Sequence, residues 1–383
     1  MNKALSEIIN RYDPSKPLEQ ASTIPASWYI DKDIFNLELE TVFANSWQVV
    51  ARVDQLLEPG AYVTSEIAAE PIVVVRGSDN QLRGFFNVCR HHAAAVMTEP
   101  AGKANSLRCP YHGWIYSLEG ELKGTPGFSG VCNFDRSANG LVPVETAVWE
   151  KWILVRVGNN DADTRPVNFD HTLDDFLGAD LIEQFRSLNL DQLHWLERRH
   201  YILDCNWKVF VDNYLDGGYH VPHLHKGLDS VLDYSKYTIE NGEHFCLQSS
   251  PMVESGSEAE TGAVRKGESA LYYWIYPNLM INSYDGVLDT NLVLPLGVNK
   301  TEVIFDFYFP DVSESAREQN RKSIDVSQRI QDEDVGICKS VQSGLNSRAY
   351  KSGRLSVRRE AGEHLFHRLL HADLKAGLKL EEA

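Results

Sequence analysis

Between Ala61 and Gly77 the chain reads AYVTSEIAAEPIVVVRG, and AVWEKWILVRVG from Ala147 repeats that β-branched and aromatic texture. Turn residues at Pro59-Gly60, Gly77-Ser78-Asp79 and Glu119-Gly120 punctuate these runs, which predicts strands and an all-β unit over 45–160. The polar stretch NNDADTRPVN from Asn159 marks its end. Beyond it LDDFLGADLIEQF has helical spacing, and NWKVFVDNYLDGGYH places apolar residues at Trp207, Val209, Val211, Tyr214 and Leu215. A helix there would carry Asp212 and Asp216, four apart, on one face, until Gly217, Gly218 and Pro222 interrupt it. ESALYYWIYPNLMINSY reads as a strand presenting Tyr272, Trp274 and Tyr276 on one face. TEVIFDFYFP reads as its neighbour, with Val303, Phe305, Phe307 and Phe309 on one side. The chain is therefore expected to be α+β, with the all-β unit first.

Composition narrows the function. At 383 residues the chain exceeds the ~250 to 300 at which single cores tend to split, so more than one domain is expected. No run of ~18 apolar residues suggests a membrane span. The N-terminal MNKALSEIINRYDPSKPLEQ resembles neither a secretory signal nor a transit peptide, which leads to the expectation of a cytoplasmic protein. A net charge of −17 opposes phosphate backbones, and no basic patch offsets it, so nucleic acid is not an expected partner. Six cysteines are too sparse for a disulfide scaffold.

Two of those cysteines stand beside histidines. Cys89 and His91 form C-x-H, and seventeen residues later Cys109 and His112 form C-x2-H within CPYHGW. Each short loop thus offers one thiolate and one imidazole. A tetrahedral zinc site is one reading of Cys2His2, but zinc fingers group the cysteines in one pair and the histidines in the other. One of each per loop suits a Rieske [2Fe-2S] centre, in which two cysteines hold one iron and two histidines the other. His92 falls outside the spacing.

A second cluster, DNYLDGGYHVPHLHKGL, places histidines at 220, 223 and 225 after two aspartates, and a surface-polar loop would look the same. Together the two clusters resemble the Rieske non-heme iron oxygenases. C-x-H-x17-C-x2-H is similar to their Rieske domain, and N-W-K-x3-D-N-x2-D-x3-H-x4-H to their catalytic signature. By that resemblance His220 and His225 are the histidine ligands of a mononuclear Fe(II), and His223 lies outside the pattern. In QRIQDEDVGICKSVQSGL the E-D position, Asp334, is the implied carboxylate ligand, with Asp332 its competitor. The resemblance further implies that Asp216 bridges the two metal centres across a subunit boundary, although it lies four residues before His220 where many members have three. Asn213 is expected near the iron.

The family's architecture would divide the chain into a 1–44 segment packed on the catalytic domain, a Rieske domain over 45–160, and a catalytic domain over 161–383 with an antiparallel sheet flanked by helices. Its chemistry implies O2, a ferredoxin or flavin-dependent reductase, a small-molecule substrate and a homotrimer. The stretches NWKVFVDNYLDGGYH, YPNLMINSYDGVLDTNLVLPLG and EDVGICKSVQSGL resemble choline monooxygenases in particular. Tyr272, Trp274 and Tyr276 would then be a cage for a quaternary ammonium group. The same aromatic face would also suit a flat aromatic substrate, and a Rieske electron carrier without oxygenase activity is the third reading.

Overall fold

In the structure, a computed structural model describing residues 3–158, 172–253 and 260–380, the chain divides into two units. One is Leu39–Leu173; the other joins Met1–Glu38 to Asp174–Ala383. The expected break at 160/161 lies outside the described residues, and the N-terminal segment joins the second unit as far as Glu38. No helix among the described residues is long and apolar enough to cross a membrane.

The first unit is built of β1 (Gln48–Arg52), β2 (Ala61–Ile67), β3 (Glu70–Arg76), β4 (Leu82–Phe86), β5 (Ala101–Lys103), β6 (Leu107–Arg108), β7 (Ile115–Tyr116), β8 (Leu122–Gly124), β9 (Pro143–Trp149) and β10 (Trp152–Arg156). Seven form one sheet in the order β1-β10-β9-β4-β3-β2-β5, and β6-β7-β8 form a small second sheet. Strand β3 explains why its sequence is continuously apolar. Val73 and Val75 pack into the core around Cys89, Cys109, Trp114 and Tyr116, while Ile72 and Val74 pack on the other side with Ile153 and Val155. With both faces covered, alternation gives way to an unbroken apolar run.

The second unit carries β11 (His194–Leu203), β12 (Thr238–Asn241), β13 (Phe245–Pro251), β14 (Ser269–Ile275), β15 (Leu279–Tyr284), β16 (Val287–Gly297) and β17 (Lys300–Phe309). They pair antiparallel in the order β11-β17-β16-β15-β14-β13-β12. Two expectations need correction here. ESALYYWIYPNLMINSY is two strands, because Pro277 lacks the N–H a ladder requires and the chain turns at Tyr276-Pro277-Asn278. TEVIFDFYFP pairs with β11 and β16 rather than with the aromatic strand. Among the helices of the same unit are Trp207–Leu215, Arg317–Leu345 and Ala361–Leu380. The last buries Phe366, Leu370, Leu374 and Leu378, one per turn, and Phe366 meets Trp207 and Trp274 edge-on with centroids 5.5 Å away in each case. Each such fully buried apolar side chain contributes about 1.5–3 kcal/mol.

The helix Trp207–Leu215 starts on an Asn206 cap whose side chain accepts the Lys208 N–H. Its buried Lys208 donates to Glu38 Oε1 at 2.6 Å, and the Trp207 indole donates to Glu38 Oε2 at 2.8 Å. LDDFLGADLIEQF is likewise broken into two short helices, Leu173–Leu177 and Ala179–Ser187, at Gly178, whose φ of 78° is left-handed.

Candidate functional site

Two loops of the β unit close in the same way. Cys89 N–H donates to Ala94 O at 2.8 Å and Cys109 N–H to Trp114 O at 2.9 Å. Four residues after each cysteine, the N–H of Ala93 or Gly113 returns to the cysteine carbonyl, and both residues have positive φ, 59° and 72°. The repeated turn brings the two Cys/His pairs together. Both thiols are buried, His112 is exposed, and the imidazoles of His91 and His112 lie 4.7 Å apart between centroids. His91 stacks on Trp114 at 4.7 Å. The Tyr116 hydroxyl accepts the Arg90 N–H at 3.0 Å and sits 3.3 Å from Cys89 Sγ. Burial pushes the Cys109 thiol up against the pull of the Tyr111 and His112 N–H groups, and the neighbouring Cys89 adds to the rise.

These residues fit a two-iron cluster. His91 Nδ1 is buried without a hydrogen-bond partner, as a metal-ligating nitrogen would be once its ion is removed. Tyr116 and Trp114 were missed by spacing arguments, although both lie in the CPYHGWIY run.

The second centre is built from a helix end and the long helix. Trp207–Leu215 stops one residue before Asp216, and Gly217 and Gly218 follow with φ of 65° and 63°. A Cβ at Gly217 would meet Arg359 O at 2.1 Å, so a side chain there is excluded on both counts. The turn folds Asp216 back on the histidine loop, where it accepts the backbone N–H of Tyr219 and His220 and the His220 Nδ1–H, the last at 2.6 Å. His220 Nε2 is thereby left facing Asp334 Oδ1, 3.9 Å away. His225 Nε2 lies 3.1 Å from the same oxygen, and its Nδ1 bonds Glu333 Oε2 at 2.6 Å. Asn213 Nδ2 donates to Asp334 Oδ1 at 2.8 Å. Donor atoms of His220, His225 and Asp334 all fall within 4.8 Å of one another. Two imidazoles and one carboxylate converging from one side, with open positions opposite, suit a mononuclear non-heme iron.

The competing residues sit elsewhere. His223 is exposed. Asp332 is exposed too and accepts from Gln328 at 2.8 Å, because two residues rotate a side chain about 200° around a helix. Asp212 faces away from His220, His225 and Asp334 towards Tyr29 and His367, whose bonds to it are 2.5 and 3.0 Å. Asp212 and Asp216 therefore serve different neighbours despite their i,i+4 spacing. Glu333 was missed from sequence, its signal being only adjacency to Asp334. Burial by itself would push His225 down, but Asp334 and Glu333 outweigh it and hold the imidazole above its usual range.

Beside His220, His225 and Asp334 opens a cavity with about 770 Å³ of empty space, part of it continuous with solvent. Tyr272 lines it, but Trp274 and Tyr276 do not. Trp274 is fully buried against Phe366 with its indole donating to Pro277 O, and Tyr276 has passed the strand end to donate to Asp373. The aromatic wall is instead Tyr214, Tyr237, Tyr272 and Tyr284, with Phe210 and Phe305. Tyr284 donates to the Tyr272 hydroxyl at 3.0 Å and Tyr214 to Asn282 Oδ1 at 2.8 Å. Burial pushes the Tyr214, Tyr237 and Tyr272 phenols well up, so they stay neutral with their rings available to a ligand.

Comparison with known proteins agrees with this geometry. Residues 46–135 match the Rieske [2Fe-2S] domain family, and residues 190–375 the catalytic domain of the ring hydroxylating alpha subunit family. The chain is 40% identical to the chloroplastic choline monooxygenase of Arabidopsis thaliana over 97% of its own length and 87% of that protein's. It is 31% identical to the carnitine monooxygenase oxygenase subunit of Escherichia coli K12, over 92% and 94%. A solved quaternary ammonium Rieske monooxygenase, described in terms of carnitine oxidation and inter-subunit electron transfer, superposes with a TM-score of 0.79 at 26% identity, covering 93% of this chain and 96% of that one.

Proposed function

We propose, from the premise that this chain belongs to the Rieske ring-hydroxylating oxygenases, that its substrate is a quaternary ammonium compound hydroxylated at a C–H bond beside the mononuclear iron. The family's two cofactors are a Rieske cluster and one iron. Here Cys89, His91, Cys109 and His112 would hold the cluster, and His220, His225 and Asp334 the iron. When bound, the metals supply electron relay and oxygen activation. The residues around them do the positioning. Asp216 and Glu333 fix the ring orientation of the two histidines through their Nδ1 atoms, and Asn213 holds one Asp334 oxygen.

The observation that carries the substrate class is the wall of four neutral tyrosines beside the iron ligands. Ring faces attract a cation that has no N–H to donate, by about 0.5–2 kcal/mol per ring depending on desolvation. Hydroxylation takes one oxygen atom of O2 into a C–H bond and reduces the other to water with two electrons and two protons. On an N-methyl group the product loses formaldehyde and leaves the demethylated amine; on choline it is an aldehyde hydrate. The electrons come from a ferredoxin or flavin-dependent reductase. The oxygenase is a homotrimer in which Asp216 links His220 to the His112 of a neighbouring chain, a role in keeping with the inter-subunit transfer described for the solved relative.

Oxygen uptake with a supplied reductase tests the proposal. Uptake should depend on a quaternary ammonium compound and match product formation. If choline, carnitine and betaines all fail while an aromatic acid is hydroxylated, the substrate class is wrong.

A further inference from the structure

Two opposite charges are buried in the wall of the same cavity. Arg265 is 3% exposed and Asp289 2% exposed, and both line it. Neither forms an ion pair with any described residue. The guanidinium is held by hydroxyl groups: Nη1 donates to Ser323 Oγ, and Nη2 to Ser327 Oγ at 2.6 Å and Ser323 O at 3.4 Å. Its flat face lies over Tyr284, with the guanidinium carbon 4.8 Å from the ring centroid, and Nε is buried with no partner. The Asp289 carboxylate accepts one bond, from Asn282 at 2.7 Å. Burial pushes this carboxyl up and Arg265 draws it back down, so the two groups feel one another without touching.

A buried cation held only by neutral acceptors, with one donor unused, is costly unless an anion completes it. No described residue supplies that anion at hydrogen-bond distance, and the side chain borders a cavity open to ligand. Ser327, which holds the guanidinium, lies seven residues before Asp334 on the same helix, a rise of about 10 Å. His220, His225, Asp334 and Arg265 all line this one cavity, so a single ligand in it can meet both groups.

Building on the quaternary ammonium reading, we infer that Arg265 is a carboxylate-recognition point and that the substrate is zwitterionic. Its trimethylammonium group lies among the tyrosines with Asp289 as counter-charge, and its carboxylate binds the guanidinium. An alcohol such as choline lacks the anion and leaves Arg265 uncompensated. Asp289 and Arg265 together then select a betaine over a simple ammonium cation or a simple carboxylic acid.

The test is calorimetric binding to the iron-loaded enzyme, with glycine betaine, choline and tetramethylammonium as probes. Betaine should bind at least about tenfold more tightly than choline, the scale of one added charge-assisted hydrogen bond. Arg265→Gln should collapse that ratio towards one, and Arg265→Lys, which keeps the charge, should retain part of it. Equal affinity of the wild type for betaine and choline overturns the inference whatever the variants do, and if tetramethylammonium also binds, the quaternary ammonium reading survives. If none of the three binds, that reading fails and this one falls with it. An Arg265→Gln variant that is folded and iron-loaded but keeps the wild-type ratio also overturns it.

Discussion

Replacing Glu38 by glutamine should be among the most damaging conservative changes in the chain. Glu38 and Lys208 are both fully buried, with their charged atoms 2.6 Å apart. At an effective dielectric of about 20, that separation is worth roughly 6 kcal/mol of attraction. Part of the loss is recovered because Lys208, whose pKa burial already pushes down, can shed its proton. The net cost of breaking such a pair from one side is about 3–5 kcal/mol. In a unit of this size that lowers the melting temperature by roughly 6 to 20 °C. The helix affected carries Asn213, so retention of the mononuclear iron should fall as well. Equilibrium denaturation of the iron-loaded enzyme, followed by circular dichroism, measures the effect. The companion double variant Glu38→Leu with Lys208→Met removes both charges, and should lose less than Glu38→Gln or gain stability. A Glu38→Gln loss below about 1 kcal/mol, or a double variant as unstable as the single one, would refute the reasoning.

Asp373 supplies a pH test. Burial pushes its carboxyl up to about 6, against the Tyr276 hydrogen bond. Because the folded pKa lies above the unfolded one, the native state holds its proton longer and stability falls as pH rises from about 4 to 6, by up to about 3 kcal/mol. Asp373→Asn should therefore be more stable than wild type at pH 7, with the gap closing below about pH 4 in urea titrations; a gap independent of pH would contradict this. His223→Ala should keep the mononuclear iron and His225→Ala should lose it, by metal analysis; the reverse result would shift the ligand assignment. Asp216→Asn and Glu333→Gln should each lower iron affinity or turnover by about 10- to 100-fold. Wild-type values for both would mean that these carboxylates merely neighbour the histidines.

Where chemistry depends on closely spaced residues, the chain could be read directly. Within each of the C-x-H and C-x2-H loops, and between His220 and His225, a few residues separate the donors, but only the repeated turns at Ala93 and Gly113 bring the two loops together. Asp334 was preferred to Asp332 only through the resemblance at the E-D position; the structure separates the two because a helix turns them to different faces, and Asp334 falls in the buried series Gln331, Asp334, Cys338, Gln342 and Leu345. The cavity was not readable in this way. Its tyrosines come from a helix end, an irregular segment and two strands, and of the three aromatic residues expected there, Tyr272, Trp274 and Tyr276, only Tyr272 lines it. Period-two geometry was correct for Tyr272 and Trp274 as neighbours on one face, but the C-terminal helix covers Trp274 through Phe366. Glu38 and Lys208 are 170 residues apart, and only the packed fold brings them together.

The central claim, that this chain couples a Rieske cluster to an iron held by His220, His225 and Asp334, is tested most directly by counting iron per chain in the wild type and in His220→Ala. The account expects three irons in the wild type, two in the variant, and an unchanged Rieske electron paramagnetic resonance signal in both. Two irons in the wild type, with none lost on replacing His220, would contradict it.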